Sequence, residues 1–250
     1  MRLTAATTAF DNDVLLRAEI RAPSETIVAT ARELTEGSVI VVTEWRPPIG
    51  TLVRLQISFP SLLPPVDLSA CVVEHQASSG VGNPARLKFV FEFDDGPERE
   101  NVKRVVERLR GVELVGSGAR PYRVLLVEDN AFIGDMFRYG ISKFFAERSG
   151  RVVCEYAQDA ASAWQMLEES KYDLVVVDYY LPLEDGAALI ARLRRDERYA
   201  STPVLAISVG GRDARDATIS AGADLFLDKP VVLRDLLRTL QVLAQRGAEP

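Results

Sequence analysis

Two kinds of hydrophobic patterning divide the chain. Up to residue 93 apolar and polar positions alternate: Val14, Leu16, Ala18 and Ile20 against Leu15, Arg17, Glu19 and Arg21; Val53, Leu55, Ile57 and Phe59 against Arg54, Gln56 and Ser58; Leu87, Phe89, Phe91 and Phe93 against Arg86, Lys88 and Glu92. A period of two sends alternate side chains to opposite faces of a strand, so each segment predicts a strand with one buried face. The runs are punctuated by Pro47-Pro48-Ile49-Gly50 and Gly80-Val-Gly-Asn-Pro84, which are turn sequences. Together they predict a small antiparallel β-barrel over residues 1–111. A helix at 97–110, with Val102, Val105, Val106 and Leu109 on one face, closes it.

Beyond residue 121 the period changes. Tyr122-Arg-Val-Leu-Leu-Val127, Asp173-Leu-Val-Val-Val177, Val204-Leu-Ala-Ile207 and Asp224-Leu-Phe-Leu227 are continuous apolar runs separated by amphipathic stretches. That alternation predicts buried parallel strands joined by helices, an α/β doubly wound sheet over 122–247. Residues 112–121, which with Gly111 before them hold three glycines, a serine and a proline, read as a linker between two domains. In an open parallel sheet the ligand site lies beyond the carboxyl ends of the strands. Directly after the four runs stand Glu128-Asp129, Asp178, Ser208 and Lys229-Pro230, which the topology would gather at one end of one sheet.

Composition narrows the classes. The formal net charge of −6 disfavours general nucleic-acid binding, which relies on basic surface, so no DNA partner is expected. No apolar stretch approaches the roughly 20 residues of a membrane span, and the amino terminus lacks a signal-peptide core. A cytoplasmic protein with two buried free thiols, Cys71 and Cys154, is expected. His75, the only histidine, alternates outward on its strand, and a surface histidine is the simpler reading than a catalyst.

Three carboxylates and one ammonium at a strand-end site suit a specific chemistry. Mg²⁺ takes hard oxygen ligands and completes its shell with water and phosphate oxygens. Asp129 and Asp178 are the candidate direct ligands, with Glu128 acting through a metal-bound water. Asp178 can then attack phosphorus to form an acyl phosphate, while Lys229 and Ser208 hold the phosphoryl oxygens. Structural readings stand beside these: Glu-Asp-Asn after a strand is also a helix start, because Asp and Asn cap orphan amides. Tyr179 and Tyr180 read either as packing aromatics or as a cover over the site.

The tracts Val127-Glu-Asp-Asn130, Val177-Asp-Tyr-Tyr-Leu-Pro182, Ala206-Ile-Ser-Val-Gly210 and Asp228-Lys-Pro230 resemble, in order and spacing, the receiver domain of two-component response regulators. The resemblance implies a five-stranded sheet of order 2-1-3-4-5, with Asp178 as phosphoacceptor. It also implies the backbone carbonyl of Tyr180 as a further metal ligand, a cis bond at Lys229-Pro230 and Phe226 as an aromatic switch that turns inward when Ser208 moves. The donor would be a partner histidine kinase or phosphotransfer protein, since one outward histidine offers no internal source. The amphipathic helices at 212–221 and 231–245, the latter with Leu233, Leu236, Leu237, Leu240 and Leu243, offer a face for a homodimer contact or for docking of the first domain.

The first half, with Glu33-Leu-Thr-Glu-Gly37 before a buried strand and Pro48-Ile-Gly-Thr51 before the next, resembles a PilZ domain. Such domains commonly bind cyclic di-GMP through an Arg-x-x-x-Arg pair and an Asp/Asn-x-Ser-x-x-Gly turn. Here the turn carries Glu33 and Thr35, with Ser38 at the final glycine position, and the candidate arginines Arg17 and Arg21 fall inside the first predicted strand. They read as one solvated strand face. Two functions follow: a non-enzymatic signalling regulator, phosphorylated on Asp178 and acting through a downstream protein, or a cyclic di-GMP effector tuned by its receiver. A phosphatase using Asp178 is disfavoured, because no carboxylate stands two residues later to protonate a leaving group.

Overall fold

The computed structural model describes residues 15–59, 63–76, 84–93, 96–110, 121–146 and 152–231, together with Leu236, Leu237, Thr239 and Leu240. The linker 112–120, the turn core at 80–83 and most of the 231–245 helix, including Leu233 and Leu243, lie outside the described residues.

Six antiparallel strands form a closed barrel: β1 (Leu16–Arg21), β2 (Thr26–Arg32), β3 (Ser38–Thr43), β4 (Leu52–Phe59), β5 (Leu63–Gln76) and β6 (Ala85–Phe91), in the order β1-β2-β3-β6-β5-β4. β1 pairs with β2 on one side (Ala18 opposite Ala29) and with β4 on the other (Ala18 opposite Ile57), which leaves this part of the barrel without a free edge. The period-two alternation is obeyed: Leu16, Ala18, Ile20, Val53, Leu55, Ile57, Leu87 and Phe89 fill the interior. Gly50 sits at the third position of the turn closed by Thr51 N donating to Pro48 O, with φ of 90°, a conformation that disfavours any side chain. Helix α1 (Pro97–Arg110) follows β6 and buries Val102 and Val106 in the same core. His75 is exposed on β5, and Cys71 and Cys154 are free and half-buried. Burial pushes the Cys154 thiol up to about 12.

The turn between β2 and β3 is stitched internally. Thr35 Oγ1 accepts from Ser38 N at 2.9 Å, Thr35 N donates to Ser38 O at 2.8 Å, and Glu33, with φ of 50°, is ion-paired to Arg86 on β6. Its polar groups therefore serve the turn.

The second unit alternates strands and helices: β7 (Tyr122–Val127), α2 (Ala131–Ala146), β8 (Val152–Ala157), α3 (Ala160–Glu169), β9 (Leu174–Asp178), α4 (Gly186–Arg195), β10 (Val204–Ser208), α5 (Gly211–Ala221) and β11 (Leu225–Asp228). The five strands are parallel in the order β11-β10-β9-β7-β8, the expected 2-1-3-4-5 arrangement read from the opposite edge. One face, through Leu125, Val127, Val175 and Val177, packs on Leu167, Leu189, Ile190 and Leu193 of α3 and α4. The other, through Val124, Leu126, Leu205 and Leu227, packs on Phe137 and Ile141 of α2 and on Leu236, Leu237 and Leu240.

This second apolar cluster is continuous with the barrel core. Thr30 points outward from the barrel on β2, yet it is only 6% exposed, because β11 covers it. Its hydroxyl donates to Phe226 O at 2.9 Å, Arg17 Nη1 donates to Ala223 O at 3.3 Å, and Leu15 N donates to Thr239 Oγ1 at 3.0 Å. The expectation that Arg17 and Arg21 form one solvated face is thus corrected. Arg17 is half-buried against the second unit, whereas Arg21 stays exposed and pairs with Glu19 and Asp67. Docking of the first domain, one of the uses expected for the 212–245 face, is present at Phe226 and Thr239.

Phe89 is fully buried at the centre of the barrel. Phe89→Ala is expected to lower unfolding free energy by about 3–5 kcal/mol, through lost burial and a residual cavity, as read from urea midpoints.

Candidate functional site

Strand ends converge as the sequence pattern implies. Glu128 and Asp129 follow β7, Asp178 ends β9, Ser208 ends β10, and Lys229 follows β11. Among the described residues, Glu128, Asp129 and Asp178 bring carboxylate oxygens within 4.8 Å of one another. Glu128 and Asp178 are 1% and 4% exposed, while Asp129 opens to solvent.

Burying two carboxylates is costly unless they are paired. Lys229 Nζ lies 2.7 Å from Glu128 Oε2 and 2.6 Å from Asp178 Oδ2, so one ammonium joins β11 to both acids. Burial pulls the lysine's affinity for its proton down, but the two carboxylates more than offset it, and its pKa stands above the usual value. Burial likewise raises Glu128, with Asp178 adding to the effect and Lys229 opposing it. Three carboxylates facing this ammonium leave an excess of negative charge and hard oxygen donors, a donor set that fits Mg²⁺.

The surrounding backbone is accounted for residue by residue. Asn130 Oδ1 accepts from Phe132 N and Ile133 N and caps α2, while Asn130 N donates to Glu128 Oε1 at 3.3 Å. The Glu-Asp-Asn tract is thus helix start and acid site at once, its two readings divided among neighbouring residues. Asp185 caps α4 through Ala188 N at 2.8 Å. Ser208 Oγ, fully buried, accepts from Gly210 N at 2.9 Å, which leaves its hydroxyl proton free to be given elsewhere. Lys229-Pro230 is cis. Tyr180 N donates to Asp178 Oδ1 at 3.3 Å, and the Tyr180 ring packs edge-on to Tyr179 and over Gly210.

Other features were not visible in the sequence pattern. Gly186 N donates to Tyr179 O, and a Cβ at Gly186 would stand 2.2 Å from Asp178 O; the turn signal Glu184-Asp185-Gly186 marks a bend but not that approach. Arg215, buried on α5, pairs with Asp228 at 2.8 Å and lies 5.2 Å over the Phe226 ring. Phe226 itself is 5% exposed and packed in the inner cluster in the arrangement where Ser208 accepts from Gly210 N. Arg17 and Arg21 lie on the barrel and take no part in the acid cluster.

Residues 124–241 match the family model of the response regulator receiver domain. The chain is 35% identical over 130 residues to the response regulator RppA of Synechocystis, covering 51% of this chain and 52% of that protein. It is 34% identical over 127 residues to the virulence transcriptional regulatory protein PhoP of Salmonella typhimurium, covering 50% and 53%. The receiver domain of Francisella response regulator 1452 superposes with a TM-score of 0.42 at 26% identity, covering 50% of this chain and 97% of that one. The chain spans about half the length of the curated relatives it matches. No helix among the described residues is long and apolar enough to cross a membrane.

Gly186→Ala is expected to cost about 1–3 kcal/mol in urea unfolding, because the new methyl meets the Asp178 backbone and not a side chain that could move aside. With its acid cluster at the strand ends and its matching family model, the parallel unit over residues 124–241 is a response regulator receiver domain.

Proposed function

We propose that the protein is a phosphorylation-controlled regulator whose acceptor is Asp178, charged by a partner histidine kinase or phosphotransfer protein. The observation that carries this reading is the direct contact of Lys229 Nζ with Asp178 Oδ2 inside a cluster of three carboxylates. Glu128, Asp129, Asp178 and the carbonyl of Tyr180 would hold Mg²⁺. The bound ion supplies charge neutralisation on the transferring phosphoryl oxygens.

In the transfer, an Asp178 carboxylate oxygen bonds to phosphorus as the P–N bond of the donor phosphohistidine breaks, and the released imidazole nitrogen takes a proton from water. Lys229 follows the charge from Asp178 to a phosphoryl oxygen. The Ser208 hydroxyl turns from Gly210 N and donates to another. Tyr180, over Gly210, narrows the approach of water to the new acyl phosphate. The two domains divide as barrel 1–111, linker 112–121 and receiver 122–247, and output passes through protein contacts.

Cyclic di-GMP has weaker support as a ligand. The resemblance of the barrel to a PilZ domain motivates it, but Arg17 and Arg21 are engaged by Ala223 O and by Glu19 and Asp67, and the β2–β3 turn spends its polar groups on itself.

Acetyl phosphate with Mg²⁺ is expected to label the full chain to near one phosphoryl group per molecule, read by intact mass. Asp178→Asn should reduce labelling to background, and chelation of Mg²⁺ should do the same to the wild type. Lys229→Ala should slow labelling by about 100-fold, the usual loss when a positioned donor to a charged transition state is removed. Equal labelling of wild type and Asp178→Asn overturns the assignment.

A further inference from the structure

Among the described residues of the barrel, the exposed large apolar side chains are Ile49, Leu52, Val73 and Val90. All belong to one outer face. Leu52 of β4 is the register partner of Cys71 on β5, and Cys71 is the partner of Val90 on β6, so the three form a row across the strands. Val73 follows Cys71 at the bulge between Val72 and Glu74, and the turn bearing Ile49 is bonded to β5 through Gly50 N on Val72 O. In the closed ring β5 and β6 lie across from β2 and β1, which hold the receiver through Thr30 and Arg17, so the patch faces away from that unit. An apolar row rimmed by charged residues has the anatomy of an interface.

The closure of the barrel and the charges of the rim select the occupant. β4, β5 and β6 are each paired on both sides, so no backbone edge is open to an added strand and the occupant must bring side chains. The rim is self-complementary. Lys88 and Glu92 stand either side of Val90 on the outer face, with Glu92 N extending the ladder to Ser69 O at 2.8 Å. Glu74 and the Arg54 guanidinium flank Cys71 in the same way, since Arg54 Nη1 reaches Ser69 Oγ on β5 at 2.9 Å. A two-fold axis along the row of Leu52, Cys71 and Val90 reverses strand direction between copies. It therefore sets Lys88 on Glu92 and Glu74 on Arg54 of a second copy, each pair twice, while the apolar row meets its own image. We infer that the outer β4–β5–β6 face of the barrel is a homodimer interface, with Leu52, Cys71 and Val90 at its centre and these reciprocal ion pairs at its rim. The pairing carries the two receiver units on the far sides of the joined barrels.

The test is sedimentation equilibrium of the full chain at concentrations up to about 100 µM. The wild type is expected to distribute between monomer and dimer. Leu52→Glu, at a position open to solvent in the single copy, should raise the dimer Kd about 30-fold or more, with the urea midpoint unchanged at low concentration. Lys88→Glu and Glu92→Lys should each raise the Kd about tenfold, and the two together should restore it, because the exchange rebuilds each pair with its charges reversed. A wild type that stays single overturns the proposal and leaves the face to a different protein. Dimers that survive Leu52→Glu are held by another surface and overturn it too, as does a double variant that binds no more tightly than its single parents. Leu52→Glu alters no buried position, so its result decides the matter even where a Lys88 variant fails to fold.

Discussion

The Lys229 ammonium is the interaction on which the receiver end depends. Two carboxylates, on Glu128 and Asp178, are removed from water at the ends of β7 and β9, and neither could stay ionised there without a cation within bonding distance. Lys229 meets that need from the end of β11, which lies two strands away from β9 in the sheet. Its reach therefore ties the edge strand to the centre. The cluster retains a surplus of negative charge and hard oxygens, a donor set that suits a hard dication.

That tie gives the edge strand a second use. β11 has a neighbour in the sheet on one side only, so carbonyls on its other side need donors. Thr30 of the barrel supplies one at Phe226, and Arg17 donates to Ala223 two residues before the strand. A residue on the outside of a closed barrel normally meets water, but Thr30 is buried because this edge covers it. The residue that bridges the acid cluster thus follows directly on the four-residue strand that seats the barrel.

Much of the fold was legible because burial imposes a period. Leu16, Ala18 and Ile20 could only be one face of a strand, and the Val-rich run before Asp178 only a strand covered on both faces. The acid site was legible for a related reason, since polar residues placed immediately after buried strands have few structural uses and share one end of the sheet. Arg17 was misread because its neighbours alternate as on a solvated face, and pattern cannot say which outward face another domain will cover. Phe226 falls in the buried strand its apolar run implies, while the Arg215 guanidinium that lies over its ring had no signal in the pattern.

By itself, the order of residues determined the two architectures, the strand ends that bear chemistry and the charge balance of the acid cluster. These follow from local periodicity and from the topology of parallel sheets, which needs no knowledge of distant contacts. Only the tertiary structure decided that Lys229 bridges Glu128 and Asp178, that Gly186 must let the Asp178 carbonyl pass close by, and that the barrel closes over β11. Those contacts join residues from 8 to 196 positions apart in the chain. They are set by where folded surfaces meet, and no repeating pattern along the chain encodes that meeting.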